Sequence, residues 1–75
     1  MHYSSFFKQR DLPLSRRAEM LMWASEFIGV MNVTWWYQSE VMIRERWDDW
    51  VMTPKVVFTF EHEEDAVAFE LRWRQ

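Results

Sequence analysis

The spacing of the apolar residues changes abruptly near the C-terminus, and this change constrains the fold more than any other sequence feature. In residues 55–60 apolar side chains recur at every second position, which is typical of a strand with one apolar face. In residues 63–73 they recur at every third or fourth position, which predicts an amphipathic helix. The strand set is Val56, Phe58 and Phe60, and the helical set is Ala66, Phe69 and Trp73, with Val67 and Leu71 widening the stripe. We therefore predict a strand and a closing helix that share one core.

An acidic segment, EHEED at residues 61–65, separates the predicted strand from the body of this helix. A helix N-terminus exposes unpaired N–H groups and the positive end of the helix dipole, so each acid in the first turn is favoured by about 0.3–1 kcal/mol. Arg72 and Arg74 lie at the opposite end, where cations are favoured. The position of these charges in the helix therefore accounts for the acidic segment.

The alternative for the same segment is a divalent metal held by His62 together with Glu61 or Asp65. Such a site needs three or four converging ligands, and the other His, His2, lies at the N-terminus. Neighbouring acids on a solvated turn also lack the apolar pocket that raises one pKa in a paired-carboxylate hydrolase. We expect no metal ligand and no bound cofactor.

Sequence signatures of catalysis are missing elsewhere as well. The chain contains one Gly, Gly29, and no Cys, so it has neither a Gly-rich phosphate loop nor a thiol nucleophile. Without Cys it also has no disulfide framework and no thiolate zinc site. No Ser lies in a context that marks a nearby base. We expect no catalytic residue and no enzymatic activity.

A first helix is predicted over residues 14–28. Asp11 and Pro13 are suited to a helix start, and Gly29 is suited to the position just after the helix end. One apolar face is expected to seal the core: Leu14, Ala18, Leu21, Met22, Ser25 and Ile28. A second ridge lies on another side of the helix: Met20, Trp23 and Phe27.

The middle of the chain alternates like a strand. Apolar residues occupy odd positions from Met31 to Tyr37, and the odd set continues through Val41, Ile43 and Trp47. A hairpin that turns near residues 38–40 explains this pattern, and the competing interpretation is a helix over residues 39–50. We expect residues 48–54 to be a connection and residues 2–8 to be a short edge strand.

Together these elements predict an α+β fold. We expect residues 1–75 to form a single compact domain, in which a small antiparallel sheet of three to four strands carries two helices in the order (β)-α-β-β-β-α. A chain of this length buries only about 60% of its unfolded surface, so its stability depends on a dense core.

The aromatic content exceeds what so small a core encloses easily. Six Trp, six Phe and two Tyr each bury about 150–250 Å² when covered. The Met20/Trp23/Phe27 ridge is not needed to seal the core, and Trp36 lies on the polar side of its strand. Aromatics and Met are enriched at the centres of interfaces, so we predict a partner-binding or self-association surface formed by Met20, Trp23, Phe27 and Trp36. The alternative is that the termini or residues 47–52 bury the ridge.

Charge and hydropathy narrow the expected environment. The net charge of −3 gives no general reason to bind nucleic acid, because that affinity depends mainly on Lys and Arg. No apolar run approaches the roughly 18 residues of a membrane span, and no charged-then-apolar signal sequence opens the chain. We expect a soluble intracellular protein that does not enter a membrane.

Residues 53–73 resemble the ends of small phage-encoded accessory proteins. The resemblance lies in the strand VVFTF, the acidic turn EHEEDA and the closing FELRW, and it covers under a third of the chain. The matching positions are Phe58, Phe60, Asp65, Ala66, Phe69, Leu71 and Trp73. It implies a phage origin, the host cytoplasm as location and no catalytic residue. It also implies that the protein binds a host or virion protein.

The function expected from all of this is a non-enzymatic protein-interaction module that binds a host or phage protein or forms a homo-oligomer. One alternative is a small structural component of a virion. Another is a nucleic-acid-binding regulator, because Arg44 and Arg46 near Trp35, Trp36 and Tyr37 could form a stacking platform for single strands.

Overall fold

The computed structural model of this protein describes residues 2–44 and 52–74. Within these ranges the chain forms two helices and three strands. In chain order they are β1 (Tyr3–Lys8), a short 3₁₀ turn (Gln9–Asp11), α1 (Leu14–Phe27), β2 (Trp35–Arg44), β3 (Met52–Phe60) and α2 (Glu63–Trp73). The predicted α+β class, with a three-stranded antiparallel sheet and two helices, is confirmed.

The strands pair in the spatial order β1-β3-β2. Both β1 and β2 run antiparallel to β3, so they are parallel to each other with β3 between them. Helix α1 connects these two outer strands, which makes the unit a split β-α-β. The predicted edge strand near the N-terminus is confirmed, because β1 lies at one end of the sheet that the described residues form.

The hairpin predicted near residues 38–40 is wrong. β2 continues through this segment and pairs with β3 on both sides of it, with a register shift between Gln38 and Val41. Glu40 has a positive φ of 57°, and its backbone N–H donates to Gln9 Oε1 over 2.9 Å. A bulge thus absorbs the irregularity that suggested a turn. Residues 39–44 are also not helical, and the rest of the alternative helix, 45–50, lies outside the described residues.

The core lies between one face of the sheet and the two helices. Its fully buried large side chains are Trp35, Phe58, Phe60, Phe69, Met20 and Val56. Phe69 of α2 lies at the centre, with its ring centroid 4.7 Å from that of Phe58 and 5.0 Å from that of Phe60. The period-two strand and the helical stripe therefore meet as the sequence predicts.

Helix α1 buries only part of the predicted face, since Leu21 and Ile28 pack against the core and the N-terminal part of that face does not. Leu14 is 76% exposed and Ala18 is also exposed, whereas Met20 and Ala24 are fully buried. The reason is Trp23, whose ring lies 6.0 Å from that of Phe69. Turning this larger aromatic surface inward removes more apolar area from water than the Leu14 and Ala18 face would. Of the ridge that we predicted to be spare, helix α1 thus buries Met20 fully and Trp23 in part, whereas Phe27 is exposed.

The end of α1 is held by a contact between backbone and indole. Gly29 follows the helix with a φ of +149°, and its N–H donates to the carbonyl of Ala24 over 3.1 Å. Its own carbonyl accepts a 2.7 Å hydrogen bond from Trp35 Nε1, which satisfies the polar group of a fully buried Trp. A Cβ at this position would lie 3.1 Å from Thr34 Oγ1. The predicted role of Gly29 is therefore confirmed.

We predict that Phe69→Ala lowers the free energy of unfolding by about 3–5 kcal/mol, because it removes a buried ring and leaves a cavity. On a domain of this size such a loss leaves little native protein. Thermal unfolding followed by circular dichroism measures the effect. Leu71→Ala, on the exposed side of the same helix, is the control and is expected to change stability only slightly. A Phe69→Ala variant that melts cooperatively within a few degrees of the parent contradicts the assigned core.

Candidate functional site

The four residues of the predicted partner surface do not lie on one surface. Met20 is fully buried in the core and is unavailable to a partner, so its inclusion is corrected. Trp23 is half-buried, and Phe27 is 66% exposed with its ring 5.4 Å from that of Trp23. Trp36 is paired with Thr59 on the sheet face turned away from the helices. Only Trp23 and Phe27 remain together as a candidate surface.

A shallow cleft of about 260 Å³ lies beside Trp23, where α1 meets α2. We call it the α1–α2 cleft, and it is lined by Glu19, Met22, Trp23, Glu26, Arg72 and Trp73. The ring of Trp73 is buried, and the guanidinium groups of Arg16 and Arg72 lie 4.8 and 4.3 Å from its centroid. Met22 is strongly exposed at the rim. Exposed apolar side chains and both signs of charge therefore surround this cleft.

Trp36 has a separate environment. Its ring makes an edge contact with His2, with the ring centroids 5.2 Å apart. Trp36 also lines a small cavity of about 240 Å³ with His2, Gln38 and Thr59. Trp36 is half-buried there and makes no described contact with Trp23 or Phe27.

A larger groove, of about 430 Å³, lies between the free edge of β1 and α2. We call it the β1–α2 groove. It is lined by Tyr3, Ser4, Ser5, Glu63, Ala66, Val67, Glu70, Leu71 and Arg74. Val67 and Leu71 were predicted to widen the buried stripe of α2, but they are 50% and 62% exposed and form the apolar wall of this groove. The sequence offered one signal for it, since α2 carries more apolar residues than one sheet face needs.

Polar contacts at the floor of the groove tie α2 to β1. The buried hydroxyl of Ser5 donates to Glu70 Oε1 over 2.6 Å. Glu70 also forms an i,i+4 ion pair with Arg74, whose Nη2 donates to the carbonyl oxygen of Phe6 over 2.6 Å. The guanidinium of Arg74 lies 4.1 Å from the centroid of the Phe7 ring. The Glu70 carboxylate thus accepts from Ser5 and is ion-paired with Arg74 at the same time.

The acidic segment lies where the sequence predicts. Glu63, Glu64 and Asp65 occupy the first turn of α2 and Arg72 its last turn. His62 Nε2 lies 3.9 Å from Glu61 Oε2, and both side chains are about half exposed. Over residues 2–44 and 52–74, no group of three or more His, Asp or Glu side chains is arranged to hold a metal ion.

Comparisons with known proteins give no relative. No protein-family model, no curated protein and no solved structure matches the chain. The resemblance of residues 53–73 to phage accessory proteins therefore stays a prediction. Within the described part of the chain, no helix is long and apolar enough to cross a membrane.

We predict that the acidic turn acts through the helix dipole alone. Glu63→Gln and Glu64→Gln are each expected to change the free energy of unfolding by less than about 1 kcal/mol. Added Zn²⁺ or Mn²⁺ is expected to leave the melting temperature of the parent unchanged, with His62→Ala as the matched control. A metal-dependent rise in the parent that is lost in His62→Ala contradicts this assignment.

Proposed function

We propose that this chain is a non-enzymatic protein-interaction module, which acts by binding a protein partner or a second copy of itself. The observation that supports this most directly is the exposure of Phe27 next to Trp23. A large aromatic side chain that is two-thirds exposed gains free energy when a partner covers it, at about 25 cal/mol per Å² of apolar area. The module would use the Phe27 end of α1 as its binding surface.

The surroundings of Phe27 support the same proposal. Several further apolar side chains are exposed on α1 and in the segment that follows it: Met22, Val30, Met31 and Val33. Trp23 contacts both Phe27 and the core ring of Phe69, so it connects the exposed Phe27 ring to the core. A rigidly held aromatic loses little conformational freedom on binding, which favours it as an anchor.

A phage origin, action in the host cytoplasm and a host or phage protein as partner belong to this proposal through the resemblance of residues 53–73. The second candidate is a small structural component of a virion, which would use the same surface for contacts between copies. A nucleic-acid-binding regulator is the third, and the net charge of −3 disfavours it.

We predict that Phe27→Ser keeps the fold but removes binding. Its side chain is mostly in solvent, so the melting temperature is expected to shift by only a few degrees. The readouts are self-association, by size-exclusion chromatography with light scattering, and capture of partners from a bacterial lysate by the immobilised protein. Trp23→Ser is expected to unfold the chain partly as well, because Trp23 also contacts Phe69 and Trp73.

The matched control is Leu14→Ser, which changes an equally exposed apolar residue at the other end of α1. It is expected to retain whatever association the parent shows. If the parent neither self-associates nor captures a protein, or if Phe27→Ser and Leu14→Ser behave alike, the proposed surface is wrong.

A further inference from the structure

The outer edge of β1 carries backbone groups that no strand within residues 2–44 and 52–74 pairs. The N–H of Glu61, just after β3, donates to the carbonyl of Thr34, just before β2. Along a strand, the N–H and C=O groups of successive residues point alternately to the neighbouring strands on either side. The odd-numbered residues of β3 therefore bond to β2 and the even-numbered ones bond to β1. Phe58 lies opposite Ser5 in the register, so the N–H and C=O groups of Ser5 point toward β3. It follows that Ser4, Phe6 and Lys8 direct their N–H and C=O groups away from the sheet.

An independent contact places the Phe6 carbonyl on the same side. Arg74, which follows α2 and lies outside the sheet, donates to that carbonyl oxygen. One acceptor of the edge is thus occupied, whereas both backbone groups of Ser4 face the β1–α2 groove. A row of outward N–H and C=O groups is the template to which another extended chain pairs.

The wall of the β1–α2 groove is suited to the side chains of such a chain. In a strand added beside β1, alternate side chains point toward α2. There they contact Val67 and Leu71, next to the small side chain of Ala66. The groove volume of about 430 Å³ lies within the range of binding clefts. Backbone pairing and an apolar wall are the two components of recognition by strand addition.

The charges of the groove favour a segment of another protein over a second copy of this chain. Antiparallel pairing of β1 along its length with β1 of a second copy would need the Phe6 carbonyl in both copies, and Arg74 already occupies that carbonyl. A foreign segment can pair at Ser4 and leave Arg74 in place. Glu63, in the acidic first turn of α2, lines the groove together with Tyr3, so a basic residue in the segment is favoured there.

We propose that the β1–α2 groove binds an extended segment of a partner protein as a fourth strand on the edge of β1. An apolar side chain of the segment lies against Val67 and Leu71, and a basic residue lies near Glu63. This inference rests on the proposed function in one respect, that the ligand is a protein. It uses a surface separate from Phe27.

The test begins with a probe selected by the parent protein. A displayed library of random peptides about ten residues long is selected on the folded chain, with Val67→Glu as the counter-target. The selected peptide is synthesised with a fluorescent label, and its Kd is measured by fluorescence anisotropy. Val67→Glu is expected to weaken binding by more than about tenfold, because it places a charge in the apolar wall. Leu14→Glu, which places the same charge at an exposed apolar site outside both the groove and the Phe27 surface, is expected to leave Kd unchanged.

Two backbone changes distinguish strand addition from apolar contact alone. Ser4→Pro removes an N–H that points away from β3, and Pro is tolerated on edge strands in that position. It is expected to weaken binding about tenfold, while Ser4→Ala, which keeps the N–H, has no effect. Peptides that are N-methylated at alternate residues provide a second measurement that is independent of variant folding. One alternate set is expected to abolish binding and the other to retain it.

The proposal is overturned if no selected peptide discriminates the parent from Val67→Glu, or if binding survives both N-methylated sets. It is also overturned if light scattering shows a parent dimer that Ser4→Pro dissociates, because the groove edge then pairs two copies. Phe27→Ser is expected to bind the peptide as the parent does. The outcome at the groove is therefore distinguishable from the outcome at the Phe27 surface.

Discussion

The contact of Phe69 with the sheet is the interaction on which the rest of the structure depends. Its ring contacts the rings of Phe58, Phe60 and Trp23, so one side chain of α2 contacts both β3 and α1. In a chain of 75 residues there is little other buried area to replace it. Because α1 reaches the core chiefly through Met20, Trp23 and Ala24, its orientation follows from this aromatic cluster and not from its own stripe of Leu and Ala.

The position of α2 also creates the β1–α2 groove. With Phe69 and Trp73 held in the core, the adjacent side of the helix lies next to β1, and Glu70 and Arg74 bond to Ser5 and Phe6 there. These polar contacts connect α2 to β1, and the β1–α2 groove lies between the two elements next to Ala66. The β1–α2 groove thus results from the same packing that stabilises the fold.

Sequence patterns predicted local structure well where one element alone decides it. The spacing of Val56, Phe58 and Phe60, the acids of the first turn of α2 and the end of α1 at Gly29 were all correctly inferred. The bulge at Glu40 was mistaken for a turn, since a polar break in an alternating pattern is common to both. Of the predicted partner surface, Trp23 and Phe27 lie next to each other, but the β1–α2 groove was not predicted because β1 and α2 are distant in sequence.

The sequence by itself determined the α+β class, through the two periods of its apolar residues, since side-chain direction repeats every two residues in a strand and every 3.6 in a helix. It did not determine which face of α1 is buried, because Met20, Leu21, Trp23 and Ala24 leave more than one apolar face to choose from. Only tertiary packing decided that, by favouring the face whose Trp reaches Phe69. Packing likewise decided that Met20 is core, that Phe27 is exposed, and that Val67 and Leu71 border a groove. A side chain is buried only if its face of a helix or strand packs against another element. The sequence pattern shows which faces are apolar, but it does not show which faces pack against each other.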